Sequence, residues 1–179
     1  MRDPTVDLWA LDEVHFQQHG SRCRMWIPPE VKDPILLHHP TRKSIGYFGA
    51  VRLRDGKLVT RQESTVFNGV TCFAFLKQLR RASAHAGRRV VVIVDNASYH
   101  HARVHKDWRC AATGGFELFY LPPYSPDLNP SERVWKLTRR LCTHNRYFPL
   151  LADVIAAVTT QFRAWAHPNE TLRRLCAII

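Results

Sequence analysis

The sequence predicts a mixed α/β sheet with helices packed against it, and three observations carry this. Short strand-like segments separated by turns fill the first third of the chain, the pattern of hairpin-connected antiparallel strands. Residues 90–94 then read VVVIV, five consecutive β-branched residues, the mark of a strand buried on both faces. Helical periodicities alternate with strands from there on, which suggests helices packed on the same sheet.

In order, residues 7–18 (DLWALDEVHFQQ) read as the first strand. Leu8, Ala10, Asp12, Val14 and Phe16 share one face, and Trp9, Leu11, Glu13 and His15 the other. Asp12 and Glu13 therefore cannot aim at one point while the strand stays regular. An acidic pair in such an apolar strand is costly unless a cation or hydrogen bonds compensate, or unless the strand ends at Asp12. Residues 22–27 (RCRMWI) read as a second short strand. The proline-bearing loop after it carries His38 and His39, which lack a further spaced ligand and read as solvated loop residues. Residues 44–53 and 57–62 form a hairpin around Asp55-Gly56.

Residues 69–86 read as a helix, with Phe73, Leu76, Leu79 and Ala82 at helical spacing and Gly87 as its cap. The buried strand 90–94 stops at Asp95-Asn96. A carboxylate there suits either an α/β ligand site or the cap of a following helix, predicted over residues 102–112. Residues 116–121 form the last strand. The proline-loaded turn 122–130 then leads into a basic helix, with Asn129 as N-cap, Pro130 in first position and Glu132 in third. Asn129 and Glu132 fit a capping box, and Lys136 stands one turn on, ready to pair with Glu132. Locally, Glu132 reads as a helix cap before it reads as a metal ligand. Residues 151–167 form an amphipathic helix through Val154, Ile155, Val158, Phe162 and Trp165, and one short turn follows.

At 179 residues the chain suits one domain with a proper core, residues 1–179. Its net charge of +11 is spread along the whole length, which favours a folded surface facing a polyanion, nucleic acid first. The five cysteines contain no Cys-x-x-Cys pair, which argues against a thiolate zinc site. Their odd number and the lack of an apolar leader favour a reducing, cytoplasmic setting. No apolar run approaches the roughly 20 residues of a membrane span.

Three carboxylates, Asp12, Asp95 and Glu132, stand on separate elements that can converge at one edge of such a sheet. Together LDEVHF, VVVIVDNASYHH and LPPYSPDLNPSERVW resemble the catalytic domain of DDE transposases (DDE superfamily endonucleases), in the bacterial insertion-sequence branch of the mariner superfamily. The resemblance covers the chain from about Asp7 to the last helix and is most specific at PPYSPDLNPSE. It implies a ribonuclease-H-like fold, a mixed five-stranded sheet flanked by helices. It also implies metal-dependent cleavage and strand transfer of an insertion element's DNA. Asp12, Asp95 and Glu132 match the family's catalytic, metal-binding carboxylates, which hold two Mg2+ (or Mn2+) ions roughly 4 Å apart. Glu13, Asn96 and His100 match residues near the site. Arg133, Lys136, Arg139 and Arg140 are expected to lie along DNA.

The implied partners are the element ends and target DNA, a homodimer that pairs two ends, and no membrane; the implied location is cytoplasmic and nucleoid-associated. Such transposases usually carry an N-terminal helix-turn-helix region. Here the first catalytic strand begins within ten residues, so that region is expected to be absent. The chain would then be a separately encoded catalytic half, with a helix-turn-helix partner encoded elsewhere, or a frameshifted or truncated product. Two other readings stay open: a catalytically silent nucleic-acid-binding remnant or regulator, and a stand-alone ribonuclease-H-like nuclease.

Overall fold

The computed structural model describes residues 3–32, 35, 37, 40–83, 87–112, 115–123 and 125–177, so His38 and His39 lie outside the described residues. Five strands form one sheet: β1 (Val6–Gln17), β2 (Ser44–Arg52), β3 (Leu58–Glu63), β4 (Arg89–Val94) and β5 (Phe116–Tyr120). Their order is β3-β2-β1-β4-β5. The β1–β2 and β2–β3 pairs are antiparallel, whereas β1–β4 and β4–β5 are parallel. The mixed sheet expected from hairpins followed by α/β winding is thus what forms.

The two faces carry separate cores. Helix α1 (Gly69–Ser83) covers one, where Trp9, Leu11, Phe48, Val92 and Val94 pack on Phe75, Leu76 and Leu79. Helices α3 (Ser131–Cys142), α4 (Leu151–Ala164) and α5 (Glu170–Leu175) cover the other, where Ala10, Val14, Phe16 and Ile93 meet Val134, Trp135, Val158 and Phe162. Among the described residues no helix is long and apolar enough to cross a membrane.

Three local expectations are corrected. Residues 22–27 are not a strand: beyond an isolated bridge from Ser21 to His144 they pair with no strand, the Cys23 main chain is held by the Asn145 side chain, and Trp26 is fully exposed. Their alternation of Arg with larger residues copied a strand pattern, but the sheet offers them no edge. The helix expected over residues 102–112 is a 3-10 turn (Arg103–His105) running into the short α2 (Lys106–Ala111). A separate 3-10 turn (Ser98–His101) precedes it, parted from it by Ala102, extended at ψ 136°. The buried stripe of α1 is Cys72, Phe75, Leu76, Leu79 and Ser83, rotated from the expected one. Phe73 instead packs sideways on Trp108, ring centroids 5.4 Å apart.

Candidate active site

Asp12 does not end its strand. What ends beside it is the neighbour. Strand β4 pairs with β1 only over Val6–Ala10, and the last registered pair is Ala10 with Ile93. Continuing that register by two residues sets Asp95 beside Asp12, on the face of Ala10 and Ile93. The parallel strand therefore stops just before Asp95, which stands at the carboxyl end of a central strand.

Helix α3 delivers Glu132 to the same spot, held by its own first residues. Asn129 and Ser131 are both buried. The Asn129 amide donates to the Leu11 carbonyl at 2.9 Å, and the Ser131 hydroxyl donates to the Ala10 carbonyl at 2.7 Å. Asn129 Oδ1 also accepts from the Ser131 N–H at 3.1 Å, so Asn129 ties the start of the helix to β1. The helix begins at Ser131 with Pro130 in the cap position, one residue later than expected. The reciprocal bond from Glu132 is not among the described hydrogen bonds, nor is an ion pair from Glu132 to Lys136. The Glu132 carboxylate is left to the groove lined by Asp12, Asp95, Asn96, Leu121, Pro122, Pro123, Ser125 and Asn129.

Trp135, one turn after Glu132, was not singled out by the sequence. Its indole N–H donates to Asp12 Oδ2 at 2.9 Å. The ring lies over Gly49, the β2 residue paired with Asp12, where any β-carbon would collide with it. Ser131 was missed too. At sequence level both look like ordinary helix residues, and only the register of α3 on β1 gives them a role.

The electrostatics mark this end of β1 as unbalanced. Asp7, five residues earlier and also buried, is neutralised by Arg52 at 3.3 Å, Arg54 at 3.2 Å and Arg88 at 3.5 Å. No ion pair among the described residues reaches Asp12 or Glu132. Burial, then the nearby Glu132 charge, push the Asp12 carboxyl up to about 7, against the Trp135 hydrogen bond; Asp95 adds a smaller push. Uncompensated carboxylates converging in one groove are the donor set of a divalent-cation site, and the residues present fit such an ion.

Glu13 points to the opposite side, as strand alternation requires, and meets Asp95 from there. The His100 Nε2 lies 3.3 Å from Asp95 Oδ1 and 3.8 Å from Glu13 Oε2. Burial and the charges of Asp12 and Asp95 push Glu13 up to about 9. The His100 imidazole and the Ala97 N–H hold Asp95 below the usual range, against partial burial. Asn96 donates to the Leu121 carbonyl, tying the end of β4 to the end of β5.

The basic residues of α3 divide. Arg133 is bound to the C-terminal carbonyls of Leu175 at 3.0 Å and Ala177 at 3.2 Å. Arg139 packs over Phe16, 5.8 Å from the ring centroid. Lys136 and Arg140 are exposed and follow Glu132 at successive four-residue steps, along one helix face.

A family model described as DDE superfamily endonuclease matches residues 7–155, which takes in β1, β4 and the start of α3 with all three carboxylates. The chain belongs to this family. Among solved structures, the Mos1 strand transfer complex superposes with a TM-score of 0.69 at 21% identity, covering 95% of this chain and 50% of that one. The catalytic domain of Mos1 mariner transposase superposes at 0.64 and 18% identity, covering 95% and 75%. At these identities the likeness establishes a shared fold, the ribonuclease-H-like mixed sheet flanked by helices that the resemblance implied. The uncharacterized protein y4pE/y4sA of Sinorhizobium fredii is 34% identical over 73 residues, 41% of this chain and 50% of that protein. The chain thus spans about half the length of the first of these relatives.

Proposed function

We propose that this chain is the catalytic part of a DNA transposase that cleaves phosphodiester bonds and transfers strands of a mobile element. The observation that carries the reading is the meeting of Asp12, Asp95 and Glu132 in one groove at the carboxyl end of β4, where no ion pair among the described residues reaches Asp12 or Glu132.

In this reading Asp12, Asp95 and Glu132 hold two divalent ions, Mg2+ or Mn2+. Mos1 mariner paired end complexes have been solved with each. Such ions, when bound, supply the Lewis acidity that makes a water or a 3′-hydroxyl nucleophilic and the charge that balances the leaving oxygen. The chain's own residues do the rest. Asn129 and Ser131 fix the start of α3, and so the aim of Glu132. Trp135 fixes one oxygen of Asp12. Lys136 and Arg140 offer unpaired positive charge along the helix for DNA phosphates; Arg139 and Arg133 stand beside them with other contacts. The expected partners are element ends and target DNA, with two copies pairing two ends.

The test is plasmid nicking, and joining of a 3′-hydroxyl oligonucleotide to plasmid, with Mg2+ or Mn2+. Wild type is expected to do both, and Asp12→Asn, Asp95→Asn and Glu132→Gln, each folded by circular dichroism, neither. Cleavage retained in any of the three removes that residue from the set. Cleavage confined to RNA–DNA hybrids would replace the transposase reading with a ribonuclease-H-type one, and salt-sensitive DNA binding without turnover would leave a binding remnant.

A further inference from the structure

Among the described residues, the tightest group of potential ligand atoms is not the groove triad. Glu13, Asp95 and His100 each offer one ligand atom, and these lie within 4.8 Å of one another. His100 is completely buried, and its Nε2, 3.3 Å from Asp95 Oδ1 and 3.8 Å from Glu13 Oε2, makes no well-formed hydrogen bond to either carboxylate. Glu13 Oε2, on the other side of the same gap, is likewise buried and without a well-formed hydrogen bond. Two unsatisfied buried atoms facing each other are a cost the fold would not carry without a return.

The far side of the ring is prepared. Nδ1 lies 3.5 Å from the Cys72 sulfur on α1, and the Tyr120 hydroxyl donates to the His100 carbonyl at 2.8 Å, fixing its main chain. Metal-bound imidazoles are oriented through their second nitrogen in this way. Asp95, with 51% of its side chain exposed, leaves an entry path.

The geometry points to a second metal site, made by Glu13, Asp95 and His100 and selective for a first-row transition dication such as Mn2+. One imidazole nitrogen with two carboxylates suits such ions better than Mg2+, which prefers oxygen ligands only. The site shares Asp95 with the groove and lies on the other face of the strand from Asp12 and Glu132. It goes beyond the transposase reading and does not depend on it.

Pulsed EPR of the protein loaded with Mn2+ in excess Mg2+ tests this, because coupling to 14N reports a directly bound imidazole. Wild type, Asp12→Asn and Glu132→Gln are expected to show the coupling, and His100→Gln and Glu13→Gln to lose it. No coupling in wild type, or coupling kept in His100→Gln, overturns the site; loss in Asp12→Asn and Glu132→Gln as strongly as in Glu13→Gln assigns the nitrogen to the groove instead and also overturns it. Should His100→Gln fail to fold, Glu13→Gln carries the test, and undiminished coupling there is the negative result. The nuclease reading fails separately, on plasmid cleavage by the groove variants.

Discussion

The indole N–H of Trp135 donates to Asp12 Oδ2 at 2.9 Å, so the helix that carries Glu132 also orients the carboxylate opposite it. One turn of α3 thereby sets two of the three acids of the groove. Trp135→Phe keeps the ring and removes the donor. It is expected to raise the Asp12 pKa above its value of about 7 and to weaken divalent-ion binding about tenfold, the equivalent of one pKa unit. Isothermal titration with Mn2+ at pH 7 measures this, and an unchanged affinity would show that the hydrogen bond does not position Asp12.

Gly49→Ala attacks the same contact from below. A β-carbon on β2 has no room under the Trp135 ring. Overpacking of this kind costs roughly 1–3 kcal/mol, and the ring must shift away from Asp12. Thermal unfolding and Mn2+ affinity are both expected to fall. Loss of stability with full metal affinity would separate packing from positioning.

The staple between α3 and β1 has its own test. Ser131→Ala leaves the Ala10 carbonyl without its side-chain donor, and the expected loss is about 1–2 kcal/mol in urea unfolding. Cleavage activity is expected to fall by more than stability alone explains, because Glu132 is aimed from this end. Ser131→Thr, which keeps the hydroxyl, is expected to recover part of it.

The pH dependence of the ion-free protein has a definite sign. Asp12 and Glu13 are acids whose folded pKa values, about 7 and about 9, stand above their ordinary ones. Between the ordinary and folded values the folded state binds more protons than the unfolded state. Their contribution to stability is therefore complete below about pH 4 and is lost as pH rises to about 7 for Asp12 and about 9 for Glu13. Melting temperature without divalent ions is expected to decline from pH 5 to 9. Asp12→Asn and Glu13→Gln should flatten the decline, and saturating Mn2+ should reverse it, since ligands bind deprotonated. A melting temperature that rises with pH in the ion-free protein would contradict this assignment.

DNA affinity should separate the basic residues of α3. Lys136→Ala and Arg140→Ala are each expected to reduce the slope of log affinity against log salt by about 0.9. Arg133→Ala should lower stability by releasing the C-terminal carbonyls and leave the slope unchanged. Fluorescence anisotropy across a salt series decides between these outcomes.

Taken alone, the sequence determined the layered sheet, because hairpin turns, the VVVIV run and the helical periodicities each depend on local spacing. It also singled out Asp12, Asp95 and Glu132, through motifs whose residue types survive without coordinates. The false strand at residues 22–27 arose because alternation records polarity and not the presence of a neighbour. Only the tertiary structure decided that β4 stops beside Asp12, that Asn129 and Ser131 fasten α3 to Leu11 and Ala10, and that Trp135 lies over Gly49. Each of those joins residues more than eighty positions apart, and their register follows from how the helix packs on the sheet. The same holds for Glu13: alternation turned it away from Asp12, but only the fold of residues 95–100 brought Asp95 and His100 round to meet it.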